Sequence, residues 1–307
     1  MPNKNMLDLI VIGGGPAGLT ATMYAVHKKL NAMLVTRDLG GKTNYRLQLP
    51  FVERHMVING DEVVNRFSRE IEYLDFARKM DNVEAVEVMN GGYSVRLSSG
   101  ELLAAHALII ATGSKAQLLN VPGEREFMMR GLCYSATSYA QLFIDRTVAV
   151  IGDGMLALNS TAELARVAKH VTLIAPTKGQ LDSPLGARLA AQKHVTMLRG
   201  YTVKEVKGDT YARAVVAASA SEEHEVEADG IFVELELIPR TGMVAHLVDL
   251  DEHYRIKVNC KNETSRRGIF AAGDVTDTYS EQVLISIGEG AKAALSAYEY
   301  LVHEGLI

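Results

Sequence analysis

Two glycine-rich turns, each set between apolar strands and a helix, constrain the fold of this chain more than any other feature. In the first unit a continuous apolar run, Leu7 to Ile12, leads into the pattern G-x-G-x-x-G from Gly13 to Gly18. A helical pattern follows to about Lys29, and a second apolar strand runs from Asn31 to Val35. Strand, glycine turn, helix and strand in this order predict a complete β-α-β unit.

The three glycines have different physical roles in such a unit. Gly13 permits the tight turn, Gly15 lets a pyrophosphate approach the backbone, and Gly18 lets the helix pack closely against the strand. The start of the helix adds unpaired N–H groups and the positive end of the helix dipole. The unit therefore predicts a dinucleotide site at the N-terminus of this helix.

The acid that usually binds the ribose hydroxyls is missing from the end of the second strand. Thr36 stands there instead, and Arg37 and Asp38 follow it. Thr36 has one hydroxyl that can donate and accept a hydrogen bond. We therefore expect ribose recognition to be weaker than usual, or to be taken over by neighbouring residues.

A second unit of the same kind begins later in the chain. Its first strand is Thr147 to Ile151, its G-x-G-x-x-A turn runs from Gly152 to Ala157, its helix reaches about Lys169, and its second strand is Val171 to Ala175. Two such units predict two dinucleotide-type domains in an α/β protein.

The ligand of the second turn, at Gly152, Gly154 and Ala157, is left open by the sequence. After the second strand the chain reads Ala-Pro-Thr-Lys, without an acid for an NADH ribose. Lys178 is the one cation there for an NADPH 2′-phosphate, where arginine is the better ligand. The turn is predicted to bind NADH, NADPH or neither.

Composition excludes several other classes of protein. The chain has 307 residues, 48% of them hydrophobic, which is enough for two domains. Its net charge of -5 is spread without blocks of like charge, so we expect no nucleic-acid or membrane partner. No segment near the N-terminus is long enough for a membrane span, and we expect a cytoplasmic protein. Cys133 and Cys260 form no disulfide framework, and no Cys/His spacing predicts a metal site.

A series of segments matches a known family in order along the whole chain. They are GGGPAGLTAT near the start, LGG at 39–41, LIIATGS at 108–114, NVPGE at 120–124, RGLCYSATSYA at 130–140, VAVIGDG at 148–154, DGIFVELELIPRT at 229–241, GIFAAGDV at 268–275 and QVLISIGEGAKAALSAYEYL at 282–301. Through them the chain resembles the low-molecular-weight bacterial thioredoxin reductases.

The resemblance implies an architecture, a cofactor and an assembly. It implies a homodimer with bound FAD and two Rossmann-like domains of the three-layer ββα type, the second inserted in the first. The FAD domain would be discontinuous, formed by 1–118 and 245–307. An NAD(P)-binding-like domain, 119–244, would lie between them in the chain.

The resemblance also implies which residues contact FAD. The predicted contacts are Gly13, Gly15, Pro16, Ala17 and Gly18 at the pyrophosphate, Thr36 near the ribose, Gly40, Gly41 and Lys42 at the flavin, Thr112 and Gly113 at the ATG turn, Asp274 at the ribityl chain, and Gln282 and Val283 at the start of the last helix. The dipole of that last helix would stabilise negative charge on the reduced flavin. Lys42, where the family has glutamine, would add positive charge beside the ring, unless its long side chain turns to solvent.

The chain departs from the family at the redox-active turn. The family carries Cys-Ala-Thr-Cys followed by an acid, and the matching residues here are Ser135, Ser138 and Tyr139. A serine hydroxyl forms no disulfide, so the thioredoxin reduction of the family is excluded. Tyr139 becomes a possible neighbour of the flavin, as a relay or a cover. Cys133 is interpreted as a buried, inert thiol rather than a substitute nucleophile.

A second departure concerns the nicotinamide nucleotide. Family members that use NADPH carry His-Arg-Arg after the second strand, and this arginine clamp is absent from residues 175–180. Specificity for NADPH is therefore not expected, while binding of NADH or of no pyridine nucleotide stays open.

Three functions fit these features. The favoured one is an FAD-dependent oxidoreductase whose flavin exchanges electrons directly with an external donor or acceptor, either NAD(P)H or a redox protein such as ferredoxin. The alternatives are a flavin-binding sensor or assembly protein, and a disulfide reductase that uses a thiol of its partner. The first is favoured because the FAD contacts are largely kept while the dithiol is lost.

Overall fold

The computed structural model describes residues 6–52, 61–72 and 74–307. The strands are β1 Leu7–Ile12, β2 Ala32–Thr36, β3 Arg78–Met80, β4 Val83–Met89, β5 Gly92–Leu97, β6 Leu102–Ile110, β7 Ser114–Ala116, β8 Leu132–Cys133, β9 Thr147–Ile151, β10 His170–Ala175, β11 Val195–Arg199, β12 Thr202–Gly208, β13 Ala212–Ala218, β14 Glu223–Glu227, β15 Gly230–Val233, β16 Leu237–Pro239 and β17 Ile269–Ala271. The helices are α1 Pro16–His27, α2 Asp61–Glu72, α3 Glu124–Phe127, α4 Ala136–Tyr139, α5 Met155–Leu164, α6 Pro184–Ala190 and α7 Val283–His303.

The chain forms two compact units. The first contains the described residues of 1–44, 59–115 and 238–307, and the second those of 45–58 and 116–237. The second unit is therefore inserted in the first, and the α/β class with two Rossmann-like units is confirmed.

The observed units differ from the predicted ranges 1–118, 119–244 and 245–307. One difference lies at residues 238–244, which begin within β16. The backbone N–H of Arg240 donates to the carbonyl of Gly113 at 3.0 Å, and that of Val86 donates to Met243 at 3.2 Å. These backbone bonds hold the segment from 238 to 244 in the first unit, which therefore resumes before the predicted residue 245.

A second difference concerns residues 45–52, which lie in the second unit and were predicted in the first domain. The backbone of Gln48 donates to the carbonyl of Met129 at 2.8 Å and accepts from the N–H of Gly131 at 3.2 Å. Leu47 and Leu49 are also buried in the core of the second unit. These contacts connect residues distant in sequence, which local patterns do not reveal.

The first unit is built in three layers. Its sheet has the strand order β3-β2-β1-β6-β5-β4, with β17 also paired to β6. The pairs β1·β2, β1·β6 and β17·β6 are parallel, whereas β4·β5 and β5·β6 are antiparallel. Leu9 and Val11 of β1 pack with α1 and α7, and Ile10 and Ile12 pack with residues of β4 and β5. The alternation of side chains along β1 thus separates two cores.

The second unit repeats this plan. A five-stranded sheet has the order β11-β10-β9-β15-β8, and β12, β13 and β14 form a separate antiparallel sheet. All recorded pairs of the five-stranded sheet are parallel. Val148 and Val150 of β9 pack with α5, while Ala149 and Ile151 pack with residues of β12 and β13. The three-layer ββα prediction holds for this unit as well.

Both predicted helices end earlier than the sequence pattern suggested. Helix α1 ends at His27, and Lys29 adopts the left-handed conformation with φ of 59°. Helix α5 ends at Leu164 rather than near Lys169, because the N–H groups of Arg166 and Val167 turn back to carbonyls three residues earlier. Among the helices of the described residues, none has both the length and the apolar character needed to cross a membrane.

Candidate functional site

The first glycine turn is shaped by close backbone contacts. Gly13 has φ of 111°, and a Cβ on Gly18 would collide with the carbonyl oxygen of Gly13. Gly15 precedes α1 as its N-cap, and a Cβ there would meet no atom within 4 Å. Two of these glycines are thus required by packing, while Gly15 leaves open space at the N-terminus of α1.

The N-terminus of α1 has the electrostatics of an anion site. Pro16 begins the helix, no side chain caps it, and its first turn contains no acid. Ala17 is buried and packs against α7, where the carbonyl of Ala17 would block any Cβ on Gly290. The helix therefore directs free N–H groups and its positive dipole end to the space beside Gly15.

The predicted ribose contact is partly occupied. Thr36 is 7% exposed, and its hydroxyl donates to the carbonyl of Asp38 at 2.7 Å. The carboxylate of Asp38 accepts from the N–H of Gly41 at 3.1 Å. Thr36 can still accept a hydrogen bond but has already donated its proton, so Asp38 serves the turn rather than standing free as a ribose acid.

The Gly40-Gly41 turn lies against the first glycine turn. The N–H of Gly40 donates to the carbonyl of Gly14 at 2.8 Å. Gly41 has φ of 57°, and a Cβ on it would lie 3.0 Å from the Cα of Gly15. Both glycines are needed for this close approach, which places their backbone at the candidate dinucleotide site.

Lys42 does not turn freely to solvent, since its ammonium joins a cluster from four chain segments. Lys42 Nζ donates to Ser114 Oγ at 2.7 Å, to Asp274 Oδ2 at 2.8 Å and to Glu281 Oε2 at 3.0 Å. Ser114 Oγ in turn donates to Glu281 Oε2 at 3.0 Å. We call these four residues the Lys42 cluster.

The Lys42 cluster changes the electrostatic prediction for the site. Burial would lower the pKa of Lys42, but the charges of Asp274 and Glu281 and its hydrogen bonds to them raise that pKa overall. Burial is the largest cause that raises the pKa of Glu281; the nearby Lys42 opposes it, and the charge of Asp274 adds to the rise. With all groups ionised the cluster has one positive and two negative charges, so Lys42 is not an uncompensated cation.

Helix α7 presents a second uncapped N-terminus. Gln282 is its N-cap without a side-chain cap bond, Val283 is its first residue, and no acid lies in its first turn. From this helix, the hydroxyl of Ser286 lies 3.3 Å from Asp274 Oδ1. Asp274 is therefore held from both sides, by α7 and by Lys42.

The ATG turn is fixed to a neighbouring segment of the same unit. Thr112 Oγ1 donates to the carbonyl of Arg240 at 2.7 Å, and the N–H of Arg240 donates to the carbonyl of Gly113 at 3.0 Å. Gly113 has φ of 65° and open space around its Cβ position. The hydroxyl of Thr112 thus holds the turn in place.

These residues fit a flavin dinucleotide. The open space at Gly15 beside the uncapped start of α1 suits a pyrophosphate. The uncapped start of α7 suits a ring that gains negative charge. Ser114 and Glu281 were missed by the sequence analysis, although each directly adjoins a residue predicted to contact FAD, namely Gly113 and Gln282.

The serine turn of the second unit keeps the two predicted positions in contact. Ser135 Oγ lies 3.0 Å from Ser138 Oγ and accepts from the N–H of Ser138 at 3.3 Å. Ser135 is the N-cap of α4, and Tyr139, partly buried, is the last residue of that short helix. Ser135 Oγ thus makes the cap contact at the start of α4.

A buried carboxylate lies beneath this turn and was missed by the sequence analysis. Glu234 is 3% exposed, and its Oε1 accepts from the N–H of Ala136 at 2.6 Å. Burial is the main cause that raises the pKa of Glu234 to about 7, against the hydrogen bonds from Ala136 and Ser160. Its one sequence signal is an acid at the end of the apolar run Ile231 to Val233.

Cys133 is shielded by its surroundings. It is fully buried in β8, and burial raises the pKa of its thiol well above the ordinary value, with the charge of Glu234 adding to the rise. Cys260 is exposed in a turn. These surroundings disfavour the low-pKa thiolate that a substitute nucleophile requires.

The second glycine turn has the expected shape but carries an acid. Gly152 has φ of 151°, and a Cβ on it would lie 2.9 Å from that of Ala157. Gly154 is the N-cap of α5 with open space at its Cβ position. Between the glycines, Asp153 Oδ2 accepts from the N–H of Thr177 at 3.0 Å and from its hydroxyl at 2.6 Å. The loop after β10 is thus tied to the glycine turn.

The cations near this turn are already paired with an acid. Lys178 Nζ lies 2.8 Å from Asp182 Oδ2, and Arg199 Nη1 lies 2.9 Å from Asp182 Oδ1. Asp182 therefore competes with any phosphate for these two cations. Within the part of the chain that the structure describes, no group of His, Cys, Asp or Glu side chains is arranged to hold a metal ion.

Comparison with known proteins finds relatives over nearly the whole chain. Residues 7–290 match the family model described as pyridine nucleotide-disulphide oxidoreductase. The chain is 33% identical over 305 residues to an alkyl hydroperoxide reductase subunit of Staphylococcus aureus, covering 98% of this chain and 60% of that protein. The same subunit of Pseudomonas aeruginosa is 33% identical over 307 residues, covering 97% of this chain and 59% of that protein. The chain thus spans about three fifths of the length of these curated relatives.

A solved structure is similar over nearly the whole chain. The thioredoxin reductase of Streptococcus pyogenes superposes with a TM-score of 0.88 at 28% identity, covering 98% of this chain and 100% of that chain. The likeness covers both units and the candidate dinucleotide site of the first.

Proposed function

Because the chain belongs to the pyridine nucleotide-disulphide oxidoreductase family, we propose that it is an FAD-dependent oxidoreductase that works without an internal dithiol. Its flavin exchanges electrons directly with an external donor and acceptor. The observation that supports this proposal is a contrast between the two units. The first keeps an open pyrophosphate space at Gly15, whereas the second has hydroxyls at Ser135 and Ser138.

The residues of the first unit have defined roles in this proposal. The N-terminus of α1 and Gly15 bind the pyrophosphate, and the turn at Gly40 and Gly41 brings backbone to the cofactor. Asp274, held by Lys42 and Ser286, accepts hydrogen bonds from hydroxyls of the ribityl chain. When bound, the flavin supplies the two-electron chemistry, and the protein orients it and sets the charge around it.

The proposal also includes an external electron donor. A reduced nicotinamide or a small redox protein would serve. The pairing of Lys178 and Arg199 with Asp182 supports discrimination against NADPH, whose 2′-phosphate would have to displace that carboxylate. The family resemblance supports a homodimer, which light scattering would detect as about twice the chain mass of 33.4 kDa.

An anaerobic titration tests the function. The purified protein is examined for a flavin spectrum and then titrated with NADH, with NADPH and with a photochemically reduced donor. We expect bound flavin, reduction by the photochemical donor, and weaker reduction by NADPH than by NADH. A properly folded protein that binds no flavin, either as purified or after addition of FAD, would contradict the proposal.

The absence of an internal dithiol is tested on the same sample. Full reduction of the flavin is expected to take up about two electrons for each bound flavin, because no second two-electron centre is present. An uptake of about four electrons would show that a hidden disulfide takes part.

A further inference from the structure

The Lys42 cluster contains a carboxylate to which the proposed function assigns no role. Asp274 has a role toward the cofactor, and Lys42 and Ser114 hold the carboxylates. Glu281 has no such role, although its side chain is only 24% exposed and receives two of the hydrogen bonds in the cluster. A carboxylate kept in this position costs desolvation free energy, which calls for a physical reason.

Each member of the cluster lies at a segment that fits the cofactor. Lys42 follows Gly41, Ser114 follows Gly113, and Glu281 precedes Gln282, the N-cap of α7. Asp274 is the fourth member. The cluster is therefore built from the same segments that form the candidate flavin site, and its charge is coupled to that of a flavin bound there.

The charges of the cluster are unequal. The charged groups that face Glu281 are Lys42, from the turn after β2, and Asp274, from the segment after β17. One ammonium is shared by two carboxylates, which leaves one negative charge when all three are ionised. Negative charge on a reduced flavin bound nearby would further disfavour the state in which both carboxylates are ionised, because like charges raise the proton affinity of a carboxylate.

Resting on the proposed function, we propose that Glu281 binds a proton when the flavin is reduced and releases it when the flavin is reoxidised. Both hydrogen bonds that Glu281 accepts from the described residues are made at Oε2, so Oε1 can take the proton without loss of either contact. Lys42 and Ser114 are the positioning residues that keep the acid in place.

The step balances in electrons and protons. An external donor loses two electrons in total, and the flavin would gain them with one proton. A reduced nicotinamide brings that proton as part of its hydride, and solvent supplies it when the donor is a one-electron redox protein. A second proton comes from solvent and forms the O–H bond of Glu281, while Lys42 stays an ammonium ion. Reoxidation by the acceptor returns both protons.

The pH dependence of the flavin midpoint potential tests this inference, because its slope counts the protons taken up per electron. Wild-type protein is compared with Glu281→Gln, which keeps the size of the side chain but cannot bind the proton. Glu299→Gln is the matched control, since Glu299 lies in α7, the helix that follows Glu281, and pairs with Lys261 at 3.2 Å on the surface.

We expect a pH range in which wild type and the control take up about two protons per two electrons and the Glu281→Gln variant about one. Equal proton numbers for all three proteins at every pH would overturn the inference. A protein without flavin would instead contradict the proposed function on which it rests, so the two failures are distinguishable.

A second measurement needs no variant. Infrared difference spectra of oxidised and reduced wild-type protein, recorded in water and in deuterated water, report the protonation of a carboxylic acid through its carbonyl band. We expect a protonated-acid band that grows on reduction and shifts in deuterated water. Its absence across the pH range would contradict the role of Glu281 even if the variant failed to fold.

Discussion

The hydroxyl oxygens of Ser135 and Ser138 lie 3.0 Å apart and are joined by a hydrogen bond. The turn therefore keeps these two side chains in hydrogen-bonding contact. Serine, however, has no sulfur atom that could form a disulfide. A disulfide needs its sulfurs about 2 Å apart, so a shift of about 1 Å would convert one geometry to the other.

The first prediction is that cysteines at these two positions form a disulfide. In the double variant Ser135→Cys, Ser138→Cys, the reduced protein should have about two more reactive thiols than wild type, and mild oxidation should remove both. Thiol titration of the denatured protein, with and without prior reduction, measures the change. The single variant Ser135→Cys is the control, and its added thiol should survive the same oxidation in the monomeric fraction. Two persistent thiols in the double variant would contradict the geometry.

The second prediction concerns Glu234 and the stability of the protein against pH. Its pKa is raised from 4.5 to about 7 in the folded state, so the folded protein holds the proton more tightly than the unfolded chain. This contribution to stability is fully present below pH 4.5 and is lost as the pH rises through 7. This loss does not occur in Glu234→Gln. The free energy of unfolding of the variant, minus that of wild type, should therefore rise by up to about 3 kcal/mol between pH 5 and 8.

Chemical denaturation at several pH values measures this difference. Glu236→Gln is the matched control, because Glu236 is exposed two residues further along the chain. Its difference from wild type should stay constant with pH. A constant difference for Glu234→Gln as well would show that the buried carboxylate does not titrate between the folded and unfolded states.

The elements that the sequence predicted best are those set by local patterns. The apolar runs predicted β1 and β9 with their observed bounds, β2 within one residue at both ends, and β10 within one residue at its start. The glycine turns were predicted because tight turns and close packing require glycine at Gly13 and Gly18 whatever the rest of the chain does.

The parts that the sequence did not predict depend on distant contacts. Lys42 and Glu281 are 239 residues apart in the chain, and nothing local indicates that their side chains meet. For this reason the sequence predicted Lys42 as an isolated positive charge. In the structure, the two carboxylates beside it offset that charge. Glu234 was missed because an acid after an apolar strand usually points to solvent, whereas here its side chain lies beneath the turn that begins at Ser135.

The third prediction is that the two thiols differ in reactivity. Cys260 is exposed, while Cys133 is fully buried with a raised pKa. An aromatic disulfide reagent should therefore modify about one thiol in the native protein and the second only after unfolding. Cys260→Ala should abolish the fast reaction, and Cys133→Ala should leave it intact. Fast modification of the Cys260→Ala variant would show that Cys133 is accessible, against its burial.

The last prediction separates cofactor binding from folding at the first glycine turn. A methyl group on Gly15 meets no protein atom within 4 Å, whereas one on Gly18 collides with the backbone of Gly13. Gly15→Ala should leave the free energy of unfolding of the flavin-free protein within about 0.5 kcal/mol of wild type. It should lower the flavin content, because the methyl group occupies the space proposed for the pyrophosphate. Gly18→Ala should destabilise even the flavin-free protein, by about 2 kcal/mol or more.

Chemical denaturation of the flavin-free proteins and the ratio of flavin to protein absorbance distinguish these effects. Gly100→Ala serves as the control for a glycine with open space away from the site, although its φ of 86° adds backbone strain. It should lose some stability and keep its flavin. Full flavin content in Gly15→Ala would show that the open space at this glycine is not where the cofactor binds, because a bound pyrophosphate and the added methyl group cannot share it.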